Sequence, residues 1–221
     1  MIDRYKTIYE GSEAEIVEKK SKFIATIRLV ETEEEALAFI EEMRKKYWNA
    51  THNCFAYTIG ERQEIVRAGD DGEPSGTAGR PMLDVLLGEG LHNTAAVVTR
   101  YFGGTLLGTG GLVRAYSSAV QAGLNASTII EKQYGTMLEI QTDYNGIGKI
   151  QYFLGQRKIP IMESQYTDQV AINILVPQSQ IPSLKAEITE ATNGRAVLTD
   201  KEELYFAVLD GQILTGDELH V

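Results

Sequence analysis

The chain has 221 residues, 43% of them apolar and 24% charged, and this composition excludes a disordered chain. Its length allows one large domain or two small ones. The net charge of −10 at pH 7 argues against bulk affinity for nucleic acid, because phosphate backbones are bound mainly by basic faces.

The sequence carries no signal that would direct it to a membrane or out of the cell. The segment Met1–Lys6 has no apolar run, so we expect no secretory signal peptide. No apolar run approaches the roughly 18–20 residues that a membrane span needs. Cys54 is the only cysteine, which excludes an intramolecular disulfide and fits a reducing compartment. We therefore expect a cytoplasmic protein.

The start of the chain predicts two strands followed by a helix. Residues 14–30 have the alternation of two strands. The apolar row of the second strand consists of Phe23, Ala25, Ile27 and Leu29. Thr32 and Glu35 form a capping box, which predicts a helix start. The apolar face expected for this helix consists of Ala36, Leu37, Phe39, Ile40 and Met43.

Three further strands and two helices are predicted before residue 130. The strands cover 54–59, 65–66 and 95–98, and the last is apolar on both faces, as a central strand would be. Pro81 lies at the start of one helix, where proline is tolerated. The apolar stripe of the other helix consists of Leu112, Ala115, Tyr116, Ala119, Val120 and Gly123. Most of these residues are small, so we expect this helix to pack closely on the sheet.

From about residue 135 the pattern becomes a βαββαβ unit. Strands are predicted over 136–142, 159–166, 169–176 and 196–209. One helix lies between the first two strands, and a second helix ends at Asn193-Gly194. This order is the ferredoxin-like motif. We therefore expect two domains, 1–134 and 135–221, that fold as separate units.

The segment 69–80 is the first candidate binding loop. Its glycines and proline permit tight turns, while its carboxylates, hydroxyls and arginine supply polar groups. The candidate ligand-binding residues here are Asp70, Asp71, Gly72, Glu73, Ser75, Gly76, Thr77, Gly79 and Arg80. The functional interpretation is a ligand loop leading into a helix N-terminus, where free N–H groups favour an anion. The alternative is an ordinary surface loop.

The segment 103–111 is the second candidate, because it joins a buried strand to a helix through five glycines. Backbone amides in such a loop can close on a phosphate or carboxylate. The candidate residues here are Arg100, Gly103, Gly104, Gly108, Gly110, Gly111 and Arg114. Arg114 opposes the helix dipole in the first turn, which favours a bound anion. A purely structural glycine turn is the alternative, and the spacing matches neither a Walker A nor a GxGxxG motif.

Other reactive side chains give weaker signals. His52 and Cys54 lie two apart on one strand, and this spacing favours packing over a nucleophile pair. His92 and His220 have no partners at zinc-binding spacing, so we expect no metal site. We expect bound Mg²⁺ only in one alternative, in which Asp70 or Asp71 would hold the ion against a bound phosphate.

Four segments together resemble the YigZ/IMPACT family. They are Lys19–Phe23, His52–Tyr57, Asp70–Gly79 and Val97–Gly108, and they cover the first domain almost from end to end. The second domain resembles the small ferredoxin-like module that bacterial members carry. The chain is thus identified as a member of this family by an ungapped run of motifs.

The resemblance implies an α+β protein. The first domain would have the left-handed βαβ fold of domain IV of the translocating elongation factor, and the second would resemble the last domain of that factor. The implied partners are RNA, the ribosome or a translation-related protein. Eukaryotic IMPACT proteins restrain activation of a starvation-sensing kinase. For this chain the resemblance implies only a less specific role, that of a translation-related regulator.

The main hypothesis is therefore a non-enzymatic regulator or RNA-binding module without a cofactor. Its surface would combine both glycine loops with Arg80, Arg100, Arg114 and the early lysines 19, 20 and 22. We expect the two loops side by side at one end of the sheet, and we expect both Arg100 and Arg114 to serve binding rather than folding. For these arginines the alternative is an ion pair with a nearby carboxylate, that of Asp70, Asp71 or Glu73. The alternative is an enzyme or sensor for a phosphorylated small molecule, held by the 103–111 loop.

Overall fold

The computed structural model describes residues 2–219 and has a mixed α+β architecture. The described chain divides into two compact units. The first unit comprises residues 5–130, and the second comprises residues 2–4 together with 131–219. The division falls between Ile130 and Glu131, inside a single long strand, a few residues before the sequence-based boundary at 134.

The chain forms eleven strands and five α-helices within residues 2–219. The elements up to residue 126 are β1 (Arg4–Glu10), β2 (Glu13–Glu18), β3 (Ser21–Leu29), α1 (Glu33–Lys46), β4 (His52–Ile59), β5 (Ile65–Gly69), α2 (Gly79–Gly88), β6 (Thr94–Tyr101) and α3 (Thr109–Ala126). The remaining ones are β7 (Thr128–Thr142), α4 (Ile147–Gln156), β8 (Ile161–Tyr166), β9 (Val170–Pro177), α5 (Ile181–Ala191), β10 (Val197–Leu209) and β11 (Gln212–Thr215). Strands β1 and β11 were not among the strands expected from the sequence.

The first unit is built on an antiparallel sheet in the order β2-β3-β6-β4-β5. The central strand β6 is buried from Thr94 to Arg100, which confirms the prediction made from its apolar run. Helix α1 covers one face of the sheet through a core that includes Phe39 and Val97. Helices α2 and α3 cover the other face through a larger core that includes Met82 and Tyr116.

Helix α1 begins as its capping box predicts. The hydroxyl of Thr32 accepts from the N–H of Glu35 at 3.2 Å, and the Glu35 carboxylate accepts from the N–H of Glu31 at 2.7 Å. Leu37 does not join the buried face, because its side chain is 54% exposed. It follows Ala36 by one residue, and one residue turns a helix by about 100°, which rotates Leu37 away from the sheet.

Helix α3 approaches the sheet closely at Gly123. A Cβ placed on Gly123 would lie 2.9 Å from Cγ1 of Ile27 and 3.2 Å from Cβ of Ala25. The small-residue stripe therefore brings the helix against β3, as its composition predicts.

The second unit has the ferredoxin-like arrangement. Its sheet has the antiparallel order β11-β10-β7-β9-β8, and α4 and α5 share one apolar core with it. Without β11, this order is that of a βαββαβ unit, with the first strand β7 between the last strand β10 and the third strand β9. Strand β11 extends the sheet through a hairpin turn at Asp210 and Gly211. Among the described residues, no helix is long and apolar enough to cross a membrane.

We expect Gly123→Ala to lower the free energy of unfolding by about 1–3 kcal/mol, because the new methyl group overpacks the contact with β3. Gly110→Ala in the same helix is the matched control, since its Cβ would have only the Arg114 Nη1 atom at 3.6 Å. This control should be neutral or stabilising by up to about 1 kcal/mol. Urea unfolding of both variants measures the difference, and equal effects would refute close packing at Gly123.

Candidate functional site

The two glycine-rich segments meet at one end of the first-unit sheet, as expected from the sequence. Both line a cavity of about 440 Å³. Segment 69–80 supplies Gly72, Glu73 and Pro74, and the second segment supplies the residues 106–109. The cavity is completed by Thr51, His52, Arg100, Phe102 and Leu112. The end of β6 and the start of α3 therefore hold the two loops around a shared space.

A buried carboxylate forms the floor of this cavity. Glu73 Oε1 accepts from Arg100 Nη1 at 2.6 Å and from the Tyr116 hydroxyl at 2.7 Å. The side chains of Arg100 and Glu73 are only 6% and 3% exposed. Burial raises the pKa of Tyr116, and the neighbouring Cys54 and Glu73 raise it further, so the phenol stays protonated and donates. His52 lies beside this group, with its Nε2 3.8 Å from Glu73 Oε2.

The ion pair corrects the expectation for Arg100. This arginine was expected to serve binding rather than folding, yet its guanidinium compensates a charge inside the protein. Breaking a buried pair is strongly destabilising, because one charge then stays buried without its partner. Arg100 is therefore a structural residue that also lines the cavity, and its buried Nε has no hydrogen-bond partner among residues 2–219.

Arg114 behaves differently, because its side chain is exposed in the first turns of α3. Within residues 2–219, its guanidinium has no hydrogen-bond or ion-pair partner, so the expectation that it serves binding stays a prediction. Arg80 is also exposed, but it pairs with Asp84 at 2.7 Å and does not line the cavity. Lys22 pairs with Glu15 at 2.9 Å across the β2–β3 hairpin.

Asp70 occupies the place where a ligand anion was expected. Its carboxylate accepts from the backbone N–H groups of Gly76 at 2.8 Å, Ala78 at 3.1 Å and Gly79 at 2.8 Å. These donors lie at and just before the N-terminus of α2, so the protein supplies its own anion there. Burial acts to raise the pKa of Asp70, but the hydrogen bonds outweigh it and the pKa lies below the ordinary value.

Asp71 and Thr77 of this loop also have protein partners. The Asp71 carboxylate accepts from the N–H of Asn53 at 2.6 Å and from Arg44 Nη2 at 3.3 Å. Thr77 donates to the carbonyl of Pro74 at 2.6 Å, whereas Ser75 is exposed. Among the described residues, no three His, Cys, Asp or Glu side chains form a metal-binding group. The Mg²⁺ alternative, in which Asp70 or Asp71 holds the ion against a bound phosphate, stays a prediction.

The backbone conformation of the 103–111 loop requires glycine at positions with positive φ and at a position that closely approaches another part of the backbone. Gly104 and Gly108 have positive φ values of 83° and 74°. Gly103 lies against the turn between β2 and β3, where a Cβ would overlap the backbone of Lys20. In the described part of the chain no side chain caps the start of α3, whose N-cap residue is Gly108, and both Gly110 and Gly111 lie in the first turn. The start of α3 is thus open to an anion.

Two features of the site, one at its rim and one beneath it, were not predicted from the sequence. Phe102 and Leu106 are 47% and 82% exposed at the cavity mouth, although both are large and apolar. Tyr116 was assigned to an apolar stripe, whereas its hydroxyl reaches Glu73. A tyrosine inside a helix stripe is itself a signal, because a buried hydroxyl needs a polar partner.

A basic depression lies beside the cavity. It is lined by Glu18, Lys19, Leu107, Gly111, Arg114, Ala115 and Ser118. Leu107 lines both spaces and separates them. Lys19 thus lies beside Gly111 of the second glycine loop, and the backbone of Lys20 lies against Gly103.

Cys54 packs in the core, in agreement with the packing interpretation. Its thiol donates to the carbonyl of Asp70 at 3.0 Å, and burial raises its pKa, so it is not a thiolate nucleophile. His92 lies with its Nδ1 3.2 Å from the carbonyl oxygen of Gly60. His220 lies outside the described residues.

Fold and site together define a two-unit α+β protein whose first unit has a cavity lined by two glycine-rich loops. The Impact N-terminal domain family matches residues 19–124, and a domain family of unknown function, DUF1949, matches residues 140–195. The chain belongs to the IMPACT family.

The relatives found by sequence and by structure agree with this assignment. The chain is 44% identical to the IMPACT family member YvyE of Bacillus subtilis, over 93% of this chain and 94% of that protein. It is 37% identical to the IMPACT family member YigZ of Escherichia coli, over 84% and 92% of the two chains. A crystal structure described as a hypothetical protein superposes with a TM-score of 0.58 at 33% identity, covering 91% of this chain and 99% of that one.

We expect Arg100→Gln to lower the free energy of unfolding by about 3–5 kcal/mol, because Glu73 would stay buried without its charged partner. Arg114→Gln is the matched control and should change it by less than about 0.5 kcal/mol, since its side chain is exposed. Urea unfolding at pH 7 measures both. If both variants lower the free energy of unfolding by similarly small amounts, Arg100 is a binding residue and not a structural one.

Asp70→Asn should lower the free energy of unfolding by about 1–3 kcal/mol at pH 7, because the loop loses an ionised acceptor. The folded pKa of Asp70 lies below its unfolded value of about 3.9, so the stabilisation is complete above that pH. It is lost as the pH falls through the folded pKa. The difference in unfolding free energy between wild type and variant should therefore decrease below about pH 4.

Asp84→Asn controls for the loss of an ordinary surface charge. Asp84 pairs with Arg80 on the exposed side of α2, so its removal should cost less than about 1 kcal/mol. Chemical unfolding at several pH values measures all three proteins. If the difference in unfolding free energy between wild type and Asp70→Asn does not change with pH, the stabilising role of the ionised Asp70 carboxylate is contradicted.

Proposed function

We propose that this protein is a cytoplasmic, translation-related RNA-binding module that acts through one end of its first unit. This surface comprises Lys19 and Lys20 of the β2–β3 turn, Arg114, the start of α3, and the exposed side chains of Phe102 and Leu106. We call it the loop-end surface. The link to translation rests on family membership and on the resemblance of both domains to neighbouring domains of an elongation factor.

The observation that carries the proposal is the conformation of Lys19 and Lys20. Glu18 pairs with Ser21 across the hairpin, so the two lysines form a two-residue turn, and their φ values are 45° and 67°. Two positive φ values are typical of a type I′ turn, which strongly favours Asn-Gly or Asp-Gly. The β10–β11 hairpin of this chain uses Asp210-Gly211 in such a turn, with φ values of 51° and 83°.

Lysine in this conformation destabilises the fold by about 1–2 kcal/mol per residue. A sequence that keeps two lysines at such positions gains something other than stability from them. Strained residues of this kind cluster at functional sites. We infer that the gain is two ammonium groups held at the loop-end surface.

The neighbours of this turn suit a single-stranded nucleic acid. Arg114 adds a third cation beside Lys19, and the uncapped start of α3 adds backbone N–H donors, against the single carboxylate of Glu18. Phe102 offers an exposed aromatic ring at the cavity mouth. Proteins that bind single strands combine cations along the backbone with aromatic side chains on which bases stack.

The cavity itself favours a second candidate function, the binding of a phosphorylated small molecule. Its volume of about 440 Å³ lies within the range of small-molecule sites. The start of α3 would hold the phosphate. A rise in melting temperature with added nucleotide would favour this candidate, whereas salt-dependent binding of RNA would favour the main one.

We expect the double variant Lys19→Asn, Lys20→Gly to separate stability from binding. It should raise the free energy of unfolding by about 2–4 kcal/mol, about 1–2 kcal/mol for each lysine, because Asn-Gly fits the turn. It should weaken the binding of a single-stranded RNA at least about tenfold, and the slope of log K against log salt should fall by about 1.4, since two phosphate contacts are lost. Fluorescence anisotropy at several salt concentrations measures the binding.

The matched control is Lys6→Gln, Arg62→Gln, which also removes two positive charges from the first unit. Lys6 bridges to Leu91 and Arg62 lies in the β4–β5 connection, so both are at the opposite end of the sheet. This variant should bind RNA with nearly the wild-type salt slope. If both double variants weaken binding equally, net charge alone is responsible and the loop-end surface is not the RNA site.

A further inference from the structure

Trp48 is a large aromatic side chain that the fold leaves in water. It is the only tryptophan of the chain, and it is 81% exposed. A single exposed apolar residue is ordinary in soluble proteins. Trp48 is not single, because Phe102 and Leu106 are also exposed at the same end of the first-unit sheet. Its ring offers a partner a large area to cover.

The position of Trp48 follows from the turn that joins α1 to β4, residues 47–51. The N–H of Thr51 donates to the carbonyl of Arg100 at 2.9 Å. The Thr51 hydroxyl accepts from the N–H of Phe102 at 3.1 Å. These two bonds fix the turn against the end of β6, so Trp48 lies on a segment that adjoins the loop-end surface.

The end of β6 also adjoins the lysine turn. Strand β6 lies between β3 and β4 in the sheet, and Gly103, just after β6, lies against the backbone of Lys20. Two strand spacings, about 10 Å, therefore separate the β2–β3 turn from the α1–β4 turn. Stacked nucleotides rise about 3.4 Å each along one strand, so about three of them span this distance.

The balance of charge changes along this path. Lys19, Lys20 and Arg114 have no ion-pair partner among the described residues. The basic residues that precede Trp48 are all paired, namely Arg44 with Asp71, Lys45 with Glu41 and Lys46 with Glu13. The lysine turn thus attracts phosphate, whereas the neutralised surface around Trp48 suits an uncharged base.

We propose that Trp48 is a base-stacking platform for the single-stranded RNA whose phosphates lie at Lys19, Lys20 and Arg114. This inference rests on the proposed function and extends the contact across the end of the sheet to the α1–β4 turn. Base–aromatic stacking tolerates any sequence, because every base has a π-face. The platform therefore requires unpaired bases rather than a particular base.

The tryptophan itself reports this contact, since all tryptophan fluorescence of the chain comes from Trp48. A uridine oligonucleotide of about eight nucleotides should quench this fluorescence, with the same dissociation constant that anisotropy gives for the labelled strand. A strand of equal length without bases keeps the phosphates and is the control. It should leave the fluorescence unchanged even where anisotropy shows that it is bound.

Substitutions test the contribution of the ring to affinity. Trp48→Ala should weaken binding of the uridine strand at least about fivefold, the scale of one lost stacking contact, whereas Trp48→Phe keeps a ring and should stay within about threefold of wild type. Tyr152→Ala removes an aromatic ring that is 64% exposed in the second unit, and it should stay within about twofold. Each variant should melt within about 2 °C of wild type, because the side chains are exposed.

The outcomes separate this platform from the proposed function. If anisotropy detects RNA binding while the fluorescence of Trp48 or the affinity of Trp48→Ala is unchanged, the platform is overturned and the proposed function stands. A protein partner is then the remaining occupant of the ring. Equal quenching by the strand without bases would show a response to charge and also overturns stacking. Absence of binding to every strand overturns the proposed function itself. Quenching by the uridine strand alone, with weaker binding by Trp48→Ala, supports the platform.

Discussion

The site depends on one buried carboxylate, that of Glu73. A charge removed from water is tolerated only when nearby groups compensate it, and here Arg100 from β6 and Tyr116 from α3 donate to the same oxygen. Because one loop residue bonds to both a strand and a helix, the 69–80 segment must cross the end of the sheet. The cavity floor and the proximity of the two glycine loops follow from this contact.

The neighbouring carboxylates fix the rest of the loop. Asp70 accepts from three backbone N–H groups around the start of α2, and Asp71 bonds to β4 and to α1. Three acidic residues within four positions therefore have three different structural tasks. A loop held by so many internal bonds is formed before any ligand arrives. Such preorganisation reduces the ordering entropy that binding would otherwise require.

Much of the fold could be predicted from the sequence, because apolar periodicity directly reflects burial. The central strand β6, the cap at Thr32 and the βαββαβ order all have such local signals. Strand β11 was missed although Asp210-Gly211 is a strong hairpin signal. The partners of Arg100 and Asp70 could not be assigned, because Glu73 and the N–H groups of α2 become neighbours only through the tertiary fold. The sequence showed acidic and basic groups near one another, but not which would neutralise each other.

Two opposing electrostatic effects act on the loop-end surface. The net charge of −10 repels a polyanion at long range, whereas Lys19, Lys20 and Arg114 attract it locally. At physiological ionic strength the Debye length is about 8 Å, so charges elsewhere on the molecule are largely screened at this surface. Contact charges on the phosphate are screened much less. An acidic protein can therefore bind RNA at one short basic turn without non-specific affinity over its whole surface. This selectivity offers a physical reason to keep lysines in a turn that Asn-Gly would stabilise.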